Sequence, residues 1–556
     1  MLRPPTLAAA LPVALALASL TATAAQEVVL HTSPFSSSGS SAHKNLVRDA
    51  AGVLHCVSIF EQPNGERQLI LQSSGDGGVT WVTDPFVLND ATSGLVPPQA
   101  TSHSALAIDG EGRLHVLWGS YYYPADYRQF YRTLLPGQPG SASPILDVSA
   151  LTGASPTART AAMDLAVDGQ DTVWLVAHGP GSWVERLLRS DQPFAAGQAF
   201  TDVGPISPTA SAQNSRLAVD ASGRVHCSYY RNVAPGIYEH RFYDPVSGWG
   251  AETTLGDTAA PNDYWGVLAA DLLGNVHALY VEDCTSGSSL WQFRYKRWDA
   301  AGGWGPEVPL FDATQAQFSG IASYRIVALA CDEASGEVSA VYRDLAGSGA
   351  LRLAVKALAD PGFTALADLT APGTGLHEYH VPTVRGALHP AFNRTGTTLD
   401  LTWQHRPPPG QPPYELVYLN ASSSLKASPA QLSPIDGGVQ TFSLDAGAQY
   451  AQLPYLLLGT VSGTDPGFPI DGQLLPLNAD AYTVNSLIAP SSPPLAGSFG
   501  TLDAQGRGSA TFTLPPGLPA SFAGVQLHHA FVVIELLPTL LHVVFASNPV
   551  SLTVTL

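Results

Sequence analysis

Arginines interleaved with aromatic rings, histidines and carboxylates are the side chains here with the most chemistry to offer. Those singled out as ligand contacts are Arg216, Tyr264, Trp265, Arg325, Glu378, Tyr379 and His380. A second group, His103, Tyr121, Tyr123 and Arg128, sits within one thirty-residue stretch. A guanidinium forks onto a planar carboxylate, and aromatic faces cover sugar rings, so such a set points to an acidic or neutral glycan. Taken singly, each residue fits a solvated rim better. The set acquires meaning only if the fold gathers it on one face.

A repeat does this. NLVRDAAGVLHCVS, ALAIDGEGRLHVLW, DLAVDGQDTVWLVA, RLAVDASGRVHCSY, VLAADLLGNVHALY, ALACDEASGEVSAVY and HPAFNRTGTTLDLTW align on Asp49, Asp109, Asp168, Asp220, Asp271, Asp332 and Asn393. The intervals are 60, 59, 52, 51, 61 and 61 residues. Each copy reads as two strands around a D-x-x-G turn, where Asp accepts from turn amides and Gly tolerates positive φ. Two further strands follow in most copies, as in GIYEHRFYD and GWGAETTL. Four strands per unit, seven units in series, predict an all-β, seven-bladed β-propeller over residues 26–421. EVVLHTSP, from Glu27, resembles the fourth strands ETTLGDTA and EVPLFDAT. It is expected to close the ring beside YELVYLNA, from Tyr414, because an open end leaves unpaired edges. The candidate ligand residues then fall at one mouth, before the first strands and between the second and third. His55, His115, His226 and His277 fall just past the opposite turn and are expected to be packing residues.

SSGDGGVTW, at the first such unit, resembles the Asp-box S-x-D-x-G-x-T-W at Ser74, Asp76, Gly78, Thr80 and Trp81. That box marks sialidase-like (BNR-repeat) propellers, where it is structural. Trp81 is expected to plug the gap between neighbouring sheets. The resemblance implies an exo-glycoside hydrolase with arginines on a carboxylate and a Tyr–Glu pair. Arg216, Arg325 and Arg343 would supply the arginines, and Glu378–Tyr379 the pair. Tyr324-Arg325-Ile326-Val327 resembles the family's F/Y-R-I-P motif, but in the sixth repeat rather than early. TSHSALAIDGEGRLHVLWGSYYYPADYRQFYR, from Thr101, is similar to a region of propeller-type (ulvan-type) polysaccharide lyases acting on uronic-acid polymers. That likeness implies His103 and Tyr121 or Tyr123 as proton-transfer groups, with Arg128 or Arg216 on the developing enolate. A glycan binder without catalysis is the third reading.

Residues 1–25 read as a secretory signal peptide, which implies an extracellular or periplasmic protein. The net charge of −19 argues against nucleic acid or an anionic membrane as partner. A glycan or polysaccharide is the expected partner, bound by a monomer. Residues 422–435 are expected to be a linker and 436–556 a β-sandwich. The apolar run 530–547 carries Glu535, Pro538 and His542 and reads as two strands, not a span. Cys56 and Cys227 lie in separate repeats and are expected to be buried thiols, while Cys284 and Cys331 are a possible pair. HEYH, from His377, lacks the i, i+4 spacing of a helical zinc site, so neither metal nor cofactor is expected.

Overall fold

The computed structural model describes residues 28–33, 44–62, 66–75, 80–84, 86–89, 101–120, 128–154, 164–181, 184–191, 200–209, 212–231, 237–256, 264–283, 290–310, 318–319, 327–331, 336–343, 351–368, 383–384, 399–405, 414–420, 424–429, 431–447, 450–464, 467–471, 473–504, 506–537, 540–547 and 549–555. The chain is all-β, built from antiparallel sheets, with two short α-helices, Val148–Thr152 and Ala481–Ile488, among these residues.

Among the described residues between 28 and 420 the strands form seven sheets. The first contains Leu46–Arg48, Leu54–Glu61, Arg67–Ser74 and Val82–Thr83; the fourth begins Ala212–Val219, Val225–Arg231, Ile237–Asp244. In the seventh, Val28–Ser33 pairs antiparallel with Tyr414–Asn420, setting Val28 opposite Tyr418 and Ser33 opposite Tyr414. The N-terminal strand thus joins the last sheet, as expected. Leu46, Leu54 and Cys56 of the first sheet share an apolar cluster with Leu416 and Tyr418 of the seventh. Comparable clusters fill the gaps between the successive sheets from the first to the sixth.

The turns repeat one device. Asp109 Oδ1 accepts from the amides of Glu111 (3.0 Å) and Arg113 (2.8 Å), and Asp220 and Asp271 do the same two and four residues on. Gly112, Gly223 and Gly274 take φ of 79°, 82° and 88°, which only glycine adopts without strain. Asp171, at φ 61°, stands in for this glycine in the third copy. The second carboxylate oxygen holds the side chain six residues on: His55 at 3.4 Å, His115 at 3.1 Å, His226 at 3.3 Å, His277 at 3.2 Å, and the Trp174 indole at 3.0 Å. These histidines are buried, the packing role their column predicted.

The tryptophans bridge sheets. Trp81 of the first sheet meets the Tyr418 ring edge-on at 5.1 Å across the seam with the seventh. Trp249 Nε1 of the fourth donates to the Val203 carbonyl of the third (3.3 Å), and Trp304 Nε1 of the fifth to His240 Nδ1 of the fourth (3.0 Å). The Asp-box positions Asp76 and Gly78 lie outside the described residues; Ser74 is buried and Thr80 exposed. Cys56 and Cys227 are buried in different inter-sheet gaps. The Cys331 thiol donates to the Ala270 carbonyl at 2.8 Å, and Cys284 lies outside the described residues, so no pairing between them is described.

Two sheets face each other in the C-terminal segment, with Phe442, Leu444 and Phe512 of one packed on Leu457, Phe531 and Leu552 of the other. The expected linker is corrected here. Leu425–Ser428 pairs with Gly438–Asp445, and Gln431–Leu432 pairs in parallel with Val550–Val554. Leu425 and Leu432 are buried, and one apolar residue per short edge strand suffices to seat it despite the Ser/Pro-rich composition. Gln526–Leu537 and Leu540–Ala546 form the expected hairpin. The helix Ala481–Ile488 was not anticipated. Its start is a capping box, with Asp480 accepting from the Tyr482 and Thr483 amides while the Thr483 hydroxyl faces the Asp480 N–H. No helix among the described residues is long and apolar enough to cross a membrane.

Candidate functional site

The strand ends opposite the aspartate turns make the candidate face. Three first strands carry a β-bulge there: between Thr101 and His103, between Gln213 and Arg216, and between Tyr264 and Gly266. A bulge unpairs a residue and re-aims its side chain, and such irregularities concentrate beside sites. The bulges coincide with the residue types singled out from sequence: His103, Arg216, and Tyr264 with Trp265.

The second-sheet bulge aligns three strands. His103 lies opposite Gly119, and Gly119 opposite Gln129, so His103, the strand leading to Tyr121, and Arg128 share one sheet end. The Arg128 guanidinium lies 3.7 Å from Asp147 Oδ2 and 5.3 Å from the centre of the Phe130 ring. It is thus engaged toward the outermost strand of its sheet, because Phe130 two residues on shares its face. Tyr121, Tyr123, Arg325, Glu378, Tyr379 and His380 lie outside the described residues, as do the side chains of His103, Tyr264 and Trp265.

The fourth-sheet bulge spans Gln213 to Arg216. Asn214 sits in the left-handed region at φ 57°. Glu185, which opens the third strand of the neighbouring sheet, holds it there. Its carboxylate accepts from the Asn214 amide (3.0 Å), the Ser215 amide (2.9 Å) and the Ser215 hydroxyl. Burial pushes the Glu185 carboxyl up to about 7, against the pull of those three donors and of the Arg216 charge. Arg216 is 2% exposed, with Nη1 donating to the Ser215 carbonyl at 3.1 Å. It was expected on the rim. The bulge turns it inward, where a charged group persists beside a carboxyl of opposite sign. Gln213 and Asn214 are 9% and 6% exposed, yet Gln213 Nε2 and Asn214 Oδ1 meet no hydrogen-bond partner among the described residues. A buried donor and a buried acceptor left open on adjacent residues are costly unless something else satisfies them.

A second perturbed carboxyl lies in the fourth sheet itself. Glu239 pairs with Arg231 Nη2 at 3.1 Å, and Tyr229 donates to Glu252. Burial first, then the neighbouring Glu252, pushes Glu239 up to about 8. Among the described residues no group of three or more His, Cys, Asp or Glu is arranged to hold a metal ion.

Sequence reasoning missed Glu185, Gln213 and Glu239. The available signal for Glu185 was a lone acid opening a strand, in VERLL; its partners come from a separate repeat and leave no local trace.

No family model and no curated sequence matches the chain. Among solved structures, a PL25 ulvan lyase is similar at 10% identity and TM-score 0.48, covering 71% of this chain and 96% of the lyase. The polysaccharide lyase Uly1 is similar at 12% identity and TM-score 0.43, over 68% and 90%. The Hadza microbial sialidase Hz136 is similar at 11% identity and TM-score 0.37, over 57% and 65%.

Proposed function

We propose that the chain is a secreted, sialidase-like, seven-bladed β-propeller, followed by a β-sandwich beginning near residue 424, that binds an extracellular glycan at its bulged mouth. The observation that carries this is the Gln213–Arg216 bulge. It leaves a buried donor and a buried acceptor open beside Arg216, while Glu185 holds the backbone. A sugar hydroxyl both donates and accepts, and so satisfies such a pair; Arg216 and the aromatic side chains suit a uronate and its ring faces. Buried polar atoms left open on a rigid strand, rather than on a loop, are a pre-organised arrangement.

Asn214→Gly tests this without disturbing the fold. Glycine accepts φ 57° freely and leaves both backbone bonds to Glu185 in place, but removes Oδ1. Affinity for the best glycan of a panel of polyuronates, sialosides and neutral oligosaccharides is expected to fall roughly tenfold, the value of one buried hydrogen bond, at an unchanged thermal midpoint. Calorimetric titration reads the first and a thermal melt the second. Equal affinity of variant and parent, or no binding by the parent to any glycan, removes the proposal.

The register of the second sheet favours a catalytic reading as well. His103 lies opposite Gly119, and the paired strand ends at Ser120, one residue before Tyr121 in the sequence. Proton abstraction beside a uronate carboxyl requires a base and a proton-donating partner, the roles this reading gives to His103 and Tyr121. The expected result is new ultraviolet absorbance from an unsaturated uronate on incubation with polyuronates, abolished in His103→Ala. Release of free sialic acid from sialosides instead would assign the hydrolase reading. Silence in both assays, with binding retained, leaves a glycan-binding protein.

A further inference from the structure

The chain holds four lysines, and one of them bonds to groups of two other sheets. Lys44 stands just before the first strand of the first sheet. Its Nζ lies 2.9 Å from Asp164 Oδ1, 3.1 Å from the Leu165 carbonyl oxygen and 2.8 Å from the Leu217 carbonyl oxygen. Leu165 and Leu217 belong to the first strands of the third and fourth sheets, and Asp164 immediately precedes the former. An ammonium has three donors, and all three are taken. Asp164 is 2% exposed, and its oxygens also accept from the Leu165 and Leu217 amides, at 2.8 Å each. The Lys44 carbonyl accepts from the Leu106 amide of the second sheet at 2.5 Å, and Asn45 Oδ1 from the Thr402 hydroxyl of the seventh at 3.0 Å. The dipeptide Lys44–Asn45 therefore ties its own sheet to four others.

We propose that the centre of the sheet assembly is a site for a small monovalent cation, which the chain fills with the Lys44 ammonium. Two carbonyl oxygens and a buried carboxylate converge on one point. Strip away the carbon stem and the remaining oxygens are the coordination set of an alkali or ammonium ion. The spacing selects among cations. Oxygens at 2.8–3.1 Å suit ammonium or potassium. Calcium takes oxygen at about 2.3–2.6 Å, so it would require the strands to contract. A tetramethylammonium ion has no N–H and is too large.

Chemical rescue tests the site. Lys44→Ala removes the ammonium and leaves room; Lys44→Met removes the charge and keeps the bulk. Both leave Asp164 buried without its cation, and both are expected to lower the thermal midpoint by on the order of 5 to 10 °C in tetramethylammonium chloride. Replacing that salt with ammonium or potassium chloride at equal ionic strength should restore half or more of the loss in Lys44→Ala. It should restore little in Lys44→Met and leave the parent unmoved. Adding Asp164→Asn to Lys44→Met should recover stability with no dependence on the cation, because the unpaired charge is gone. If Lys44→Ala does not fold in tetramethylammonium chloride, refolding in ammonium chloride gives the same readout: a folded protein supports the site, and failure in both salts overturns it. Equal melting of Lys44→Ala in all the salts likewise overturns it, as does rescue of Lys44→Met to the same extent.

Discussion

Replacing Arg48 with Ala lowers the unfolding free energy by about 3–5 kcal/mol, the loss expected when one partner of a buried ion pair is removed. Arg48 ends the first strand of the first sheet and faces the seventh. Its Nε lies 3.0 Å from Asp400 Oδ2, and its Nη2 lies 2.6 and 2.7 Å from the two Asp400 oxygens. Nη1 donates to the Gly52 carbonyl at 2.9 Å, and Tyr418 donates to Asp400 at 2.7 Å. The side chains are 14% and 5% exposed, so the alanine variant strands a desolvated carboxylate with one phenol. The magnitude follows from location, and a control shows this. Arg224 and Asp244 are 3.1 Å apart but lie within one sheet in a solvent-screened position, and breaking them should change stability far less. The double variant Arg48→Met, Asp400→Leu should regain most of the loss, since a hydrophobic pair of similar volume often replaces a buried ion pair neutrally. Urea unfolding measures all three. Should Arg48→Ala lose no more than Arg224→Ala, the seam between first and seventh sheets is not holding the assembly together.

The turns were legible in the sequence because they rest on short-range chemistry, and the seam because its closing strand repeats a pattern seen elsewhere in the chain. Asp109 and Gly112 lie three residues apart and bond through their own backbone, so each D-x-x-G copy declares the same turn. EVVLHTSP betrayed its partner by likeness to strands in the same structural position. Trp81 stands behind a glycine-rich stretch that reads as a turn, and its ring meets Tyr418 of the neighbouring sheet. The misread parts depend on distant residues. Residues 422–435 looked like a linker because serine and proline dominate, while Leu425 and Leu432 are seated by a core assembled from residues up to 554. Glu185 is defined as a site group by Asn214 and Ser215, thirty residues away and in another sheet. Lys44 is defined by carbonyls 121 and 173 residues distant, which carry no side-chain signature at all. The histidine column was correctly read as packing, but the aspartate six residues upstream is what makes those rings tolerable inside.

Those rings set the second large effect, a steep loss of stability on mild acidification. Burial holds His31 at about 4 and His529 at about 3. It also lowers His55, His115, His226, His240 and His277, and in the four with an aspartate partner the carboxylate pulls upward without prevailing. The hydrogen bonds agree with neutral rings: His226 Nε2 faces Asp220 while His226 Nδ1 lies 2.9 Å from His240 Nε2, a contact that two imidazolium ions could not make. In the unfolded chain each ring takes a proton near pH 6.5. The folded form declines it until well below. Stability from these groups is therefore complete above about pH 6.5 and is lost as pH falls, by up to about 1.4 kcal/mol per unit for each ring. Glu185 and Glu239, raised to about 7 and 8, act with the opposite sign. Their contribution is complete below the unfolded value near 4.5 and is lost as pH rises through 7 and 8, so it grows on acidification. Two carboxyls offset about two of the seven histidines, and the balance is a loss. The urea midpoint is expected to fall continuously from pH 7 to pH 5, with a slope equivalent to several protons taken up on unfolding. His277→Gln isolates one ring, since the amide can still donate to Asp271 but does not titrate; the slope should then shrink by about one proton. A midpoint that stays level or rises over that interval means the rings are charged inside the fold, and the Asp–His pairs are then ion pairs rather than neutral packing.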